Sequence, residues 1–394
     1  MKINKVNIVS FSMMFINVFL SLPILIISIY KKKESIFLIS LFLAVLGFFF
    51  VPANESYDIA RYYQTFIDEI YRKSFFESQG GIIAEYLVNI LVYLKLPPNF
   101  LPFISAFVSY YFLLKTFELS VNKKKISNLN YTILFLLSYI SIPIIGYTGI
   151  RSLSATAIFI FAVLKEKNKY MRLIYLIFSI FIHTSMLIPV TIFYFCVLFL
   201  KKRVKYSKSL TFIFIFLGIL LTPNNFLYLI DNINKLNIIY IYPNYILGKW
   251  GMSFMEAKPT LISKLTNYTL LFLRFVIVFY FNIFIYEKNK KNNFVKENFI
   301  LLFSCFCFTL YRYFIFWERY TNILILMIYF ISISKCIKKL RIKYNLFGIV
   351  IIIYFTLNLI YDLKRYYMCF YVSYSNLFKI SIFNMIIEIL KNYF

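Results

Sequence analysis

Long apolar runs alternate with short clusters of lysine and arginine, and this alternation limits the possible folds more than any other feature of the chain. The runs are Asn7–Tyr30, Ser35–Ala53, Phe100–Leu119, Tyr131–Tyr147, Leu210–Leu221, Leu270–Tyr286, Phe299–Phe316 and Phe347–Ile360. About 20 apolar residues make a helix that spans a bilayer, and a helix satisfies its own backbone there. Charged residues are 15% of the 394, well under the roughly 25% of soluble domains. The expected fold is therefore all-α, a polytopic integral membrane protein with a single transmembrane domain over residues 1–394.

The net charge of +27 raises the question of nucleic acid. Its distribution argues against that partner, because the basic residues sit between apolar runs as they do in cytoplasmic membrane loops. Lys2 and Lys5 precede an apolar stretch in the manner of a signal peptide. Lys31, Lys32 and Lys33 halt that stretch with no small-residue cleavage site, so an uncleaved helix is expected. Cys196, Cys305, Cys307, Cys336 and Cys369 are scattered, which suits core residues better than a disulfide or metal framework.

The basic clusters are 31–33, 123–125, 165–172, 201–208, 288–296 and 335–343, and they hold more than half of the 43 Lys and Arg. If all face the cytoplasm, an even number of crossings separates each pair. Segment 172–201 must then go out and back, with His183 near its turn. The interval 33–123 holds three apolar pieces where parity allows two. Residues 82–95 are too short for a span and fit a re-entrant or interfacial segment. The alternative places one of the first two clusters outside. About twelve transmembrane helices follow, with the N-terminus outside. The outer face gathers the loops 54–81 and 222–264, the turn before Arg151, the turn at His183 and the turn 312–319. The tail 377–390 is amphipathic.

Several polar residues on that face are candidates for chemistry. His183 is the one histidine, and an ionisable group at membrane depth is a functional candidate by default; the plainer reading is a histidine bonded to a neighbouring helix. Arg151 opens a helix after GYTG, with Thr148 as an N-cap. Helix-end N–H groups and a guanidinium together suit a diphosphate, unless the arginine only snorkels to the interface. Asp58, Arg61 and Tyr62 share a helical face, where Asp58 could act as a base or accept sugar hydroxyls; a solvated pair is the alternative. Arg312, Glu318 and Arg319 lie in an apolar setting, where phosphate binding and a structural ion pair are both open. Trp250 can stack on a sugar ring, although an interfacial belt accounts for most aromatics. One histidine excludes HExxH and multi-histidine cages, and GxxxxGK[ST] and GxGxxG loops are absent.

Three stretches, in this order, resemble the EpsG/Wzy-type polymerases of bacterial surface polysaccharides. They are YDIARYY, GIRSLSATAIFIFAVLKEKNKYMRLIYLIFSIFIHTSMLIP and WERYTNILILMIYF. Ser152 and Tyr57 stand where that family often has Gln and Gly. The resemblance implies glycosyl transfer at the outer face of the bacterial inner (cytoplasmic) membrane, joining undecaprenyl-diphosphate-linked repeat units with no nucleotide, cofactor or metal. Arg151, with Arg312 or Arg319, would hold the diphosphate, and His183 or Asp58 would deprotonate the acceptor. Arg61, Glu318 and Trp250 would contact diphosphate or sugar. Membrane lipid, a flippase and a chain-length regulator are the implied partners. O-antigen, capsule and exopolysaccharide all remain open as products. A lipid-linked oligosaccharide flippase or transporter is the alternative, though such proteins tend to carry internal repeats and none is evident. A sugar acyltransferase is a third reading.

Overall fold

The computed structural model describes residues 5–49, 82–141, 150–221, 228, 261–286, 294–311, 313–336, 342–367 and 379–391. Among these, every regular element is helical. The α-helices are α1 (Lys5–Ile16), α2 (Val18–Tyr30), α3 (Ile36–Phe48), α4 (Ile82–Tyr93), α5 (Phe100–Ser120), α6 (Asn128–Ile140), α7 (Ile150–Leu164) and α8 (Lys169–Ile182). They continue with α9 (Leu187–Phe199), α10 (Ser207–Leu220), α11 (Leu261–Tyr280), α12 (Val295–Thr309), α13 (Phe314–Cys336), α14 (Ile342–Tyr367) and α15 (Ile382–Lys391). Two described helices, over Phe100–Ser120 and Leu265–Phe284, are long and apolar enough to cross a membrane. The chain divides into two compact units. The first is Met1–Leu187, Ile333–Lys338 and Asn358–Phe394; the second is Ile188–Ser332 and Lys339–Leu357.

The expected first span, Asn7–Tyr30, is broken. Asn17 is extended (φ −158°, ψ 132°) and its side chain accepts from the Phe19 N–H, starting a new helix. The Val18 N–H donates to the Ile380 carbonyl at 2.9 Å. α1 and α2 pack as a hairpin about this residue, which brings Lys5 to the end where Lys31 stands. At 12 and 13 residues each helix is about 18–20 Å long, so the run is two antiparallel helices where one span was expected. The expectation of one uncleaved helix with its N-terminus on the far side is corrected accordingly.

In the first unit a charged clamp fixes one end. α2 stops where Lys32 enters the left-handed region (φ 55°), with the Lys33 N–H reaching back to Ser28 O, a helix ending in which glycine is usual. Lys32 Nζ then donates to the Lys123 and Ile126 carbonyls. The Glu34 side chain is fully buried; its Oε1 meets Lys123 Nζ at 2.9 Å and accepts from the Tyr131 hydroxyl. Lys123 also pairs with Glu118 at 3.2 Å. Burial works against charge on Lys123, but the Glu34 and Glu118 carboxylates outweigh it and hold the ammonium above the usual lysine range. Clusters 31–33 and 123–125 therefore share one end, which removes the alternative that one of them lies on the opposite side.

Ring contacts give the helix directions. Phe48 meets Phe100 at 5.4 Å, far from the clamp, so α3 and α5 run antiparallel. The chain thus leaves α3 and enters α5 at the same end, and α4, 12 residues or about 18 Å, does not have to cross. Phe117 against Tyr131 and Tyr110 against Tyr139 make α6 antiparallel to α5. α7 runs parallel to α5: Ser105 and Ser109 meet Ser154, Phe112 meets Phe161, and Lys165 Nζ donates to the Leu119 carbonyl. The serines, with Ala106, Ala155 and Ala157 buried beside them, let α5 and α7 approach closely.

Several hydroxyls inside these helices are satisfied locally. Ser21, Ser28, Thr116, Ser120 and Ser179 each donate to a carbonyl one turn back, at 2.6–2.7 Å. Such back-bonds let polar residues sit in apolar surroundings without cross-helix partners. Large apolar side chains face outward, among them Ile16, Leu198, Phe199, Phe216 and Phe272.

The second unit repeats the polarity. Asn298 at the start of α12 donates to the Leu200 and Lys202 carbonyls at 2.7 and 2.8 Å. The Tyr286 hydroxyl accepts from the Val204 N–H, so clusters 201–208 and 288–296 adjoin. α10 and α12 run parallel away from this end. At their far ends a Cβ on Gly218 would stand 2.2 Å from the Phe308 carbonyl oxygen, so only glycine permits the contact. Gly218→Ala is expected to destabilise the protein by about 1–3 kcal/mol, read as earlier thermal unfolding in detergent; an unchanged midpoint would contradict the close approach. α13 turns back along α12 through Phe308–Trp317 and Phe303–Tyr320.

Candidate functional site

In the first unit, Arg151 and His183 stand at the end opposite the clamp. Arg151 is half-buried at the start of α7, and the Ser154 hydroxyl contacts hold that end of α7 on α5. α8 starts at the basic end and packs on α7 through Phe161–Tyr175. Its C-cap is His183, whose N–H donates to Ser179 O at 3.0 Å. Ser179 and Ile182 are buried, while His183 is part-exposed.

The His183 backbone leaves the helix (φ −149°, ψ 113°), and a 3-10 turn, Thr184–Met186, follows and packs against α7. The ring caps that turn. Nδ1 accepts from the Ser185 backbone N–H at 3.2 Å and lies 2.7 Å from Ser185 Oγ. The turn brings a histidine and an arginine to one end, as expected for 172–201. Thr148, the expected cap before Arg151, lies outside the described residues.

In the second unit the structure brings forward a residue the sequence reading passed over. Arg274 on α11 is 3% exposed. Its Nη2 pairs with Glu318 Oε1 at 3.1 Å, and its Nε donates to the Tyr354 hydroxyl at 3.0 Å. The guanidinium also lies 5.8 Å from the Tyr354 ring centroid, within cation–π range. The Tyr354 hydroxyl donates to Asn322 Oδ1 at 3.2 Å. Glu318 and Asn322 are one turn apart on α13, so one face meets both α11 and α14. A buried guanidinium is costly unless paired and bonded, and here two neighbouring helices, α13 and α14, supply the partners. Of the two readings open for Glu318, an ion pair is present, and Arg274 is a partner in it. The signal was a lone charge in the apolar run 270–286.

Arg319 is exposed on α13. Asp58, Arg61, Trp250 and Arg312 lie outside the described residues. Among those described, no three His, Cys, Asp or Glu side chains group as a metal site would require, and Cys196, Cys305 and Cys307 are buried free thiols.

No protein-family model, curated protein or solved structure matches the chain.

Proposed function

We propose that the protein is a polytopic enzyme of the bacterial cytoplasmic membrane that polymerises surface polysaccharide. It transfers a growing glycan from its undecaprenyl diphosphate carrier to the sugar of the next lipid-linked repeat unit. α3 and each helix from α5 to α14 would cross the bilayer, with the basic ends in the cytoplasm and the α1–α2 hairpin beginning and ending on that same side.

The observation that supports this most is the placement of Arg151 and His183. Both stand at the end of the first unit opposite three clusters of lysine and arginine. An arginine at a helix start is suited to a diphosphate, and the chemistry needs that group held as it leaves. In the transfer, the acceptor hydroxyl oxygen attacks the anomeric carbon of the donor sugar. The bond from that carbon to the phosphate oxygen breaks, and the diphosphate departs with the electron pair. The hydroxyl proton passes to a base, Asp58 or His183.

The alternative is a transporter that flips the lipid-linked unit, and the buried Arg274–Glu318 pair is the feature that favours it, since ionisable groups at membrane depth also mark transport paths. Deletion followed by gel analysis of the surface glycan separates the two. Single repeat units on the final acceptor are the expected result. Complete loss of surface sugar would favour the transporter.

A further inference from the structure

We propose that His183 serves the transfer as a hydrogen-bond donor through its Nε2–H, with Ser185 as the positioning residue that fixes the ring; this rests on the polymerase reading. The warrant is the cap of the 3-10 turn. A backbone N–H can only donate, so the Ser185 N–H, 3.2 Å from Nδ1, requires a lone pair on that nitrogen. The Ser185 hydroxyl, 2.7 Å from the same nitrogen, donates to it as well. In the neutral ring the proton then resides on Nε2. The turn is closed by Met186 N–H to His183 O at 3.0 Å, so backbone geometry sets the ring's orientation.

This assignment divides the work of the site. A general base needs an available lone pair, and the Nδ1 pair faces two donors. Protonation there would set an N–H against the Ser185 N–H. The Nε2–H is a donor of fixed direction, the group a leaving diphosphate oxygen requires as its negative charge develops. In the transfer His183 then neither gains nor loses a proton.

The chain has a single histidine, so a 15N-histidine label reports one ring. Magic-angle-spinning NMR of the labelled full-length protein in lipid bilayers at neutral pH is expected to show Nδ1 unprotonated and Nε2 protonated. Ser185→Ala is expected to add a second population with Nδ1 protonated, and Ser185→Thr to restore a single one. A wild-type ring protonated on Nδ1, alone or with Nε2, overturns the proposal. In cells, His183→Asn keeps a cap acceptor for the Ser185 N–H and has no donor at the Nε2 position; it should lower polymer output about 100-fold. His183→Gln carries an N–H near that position and cannot act as a base; it should remain within about tenfold of wild type. Equal loss in both variants overturns the donor role. Absence of polymer from the wild type would sink the polymerase reading and the donor role with it, whereas an Nδ1–H ring sinks the donor role alone.

Discussion

Arg151→Ala is expected to remove long glycan chains while leaving the amount of protein in the membrane unchanged. The side chain is half-buried at the start of α7, and contacts along the rest of this helix, at Ser154, Phe161 and Lys165, hold it on α5. Losing the guanidinium should therefore cost little in folding. In the proposed transfer its role would be electrostatic. Negative charge would build on the diphosphate as the glycosidic bond breaks, and a preorganised donor aimed at such charge contributes about 10²–10³ in rate. Arg151→Lys should recover only part of this, because an ammonium cannot make the planar two-point contact with phosphate oxygens. Chain length is read on a glycan gel and protein level by immunoblot of the membrane fraction. Normal chain length in the alanine variant would end the diphosphate assignment.

Glu318→Ala should have the largest effect on stability. It leaves Arg274 in a nearly closed site with the Tyr354 hydroxyl and ring as its described partners. Removing one member of a fully buried pair costs about 3–5 kcal/mol, because the other charge stays behind uncompensated; the solvent that reaches Glu318 places this loss at or below the lower end of that range. Arg274→Met should be milder, since Glu318 keeps part of its surface in contact with solvent, with 35% of its side chain exposed. The double variant Arg274→Met/Glu318→Leu should recover most of the loss, as apolar groups of similar volume replace the pair. Thermal unfolding of the purified variants provides the cycle. An unchanged midpoint for Glu318→Ala would show that the pair contributes nothing to holding α11, α13 and α14 together.

Much of the helical architecture could be read from charge and apolarity, because both are properties of composition over a window. The basic clusters 31–33 and 123–125 were expected on one side, and the buried Glu34 carboxylate joins them. Clusters 201–208 and 288–296 were likewise expected together, and Asn298 and Tyr286 tie them. The break at Asn17 was hidden for a physical reason: the residues around it are continuously apolar, so no change of period marks the turn. One asparagine side chain and a hydrogen bond from the Val18 N–H to the carbonyl of Ile380, distant in sequence, make it. Arg274 was visible as a lone charge in an apolar run, but its partner is 44 positions away. Pairing over that distance leaves no local spacing to recognise. Of the expected site, Arg151 and His183 could be placed from the parity of the basic clusters. The tautomer of His183 could not, because it depends on how the next two residues turn.

The most direct measurement is chain growth by purified protein in vesicles, supplied with undecaprenyl-diphosphate-linked repeat units and no nucleotide. A ladder of lengthening lipid-linked glycan from the wild type, absent with Arg151→Ala, is the predicted result. Movement of the lipid-linked unit across the vesicle bilayer with no ladder would contradict it.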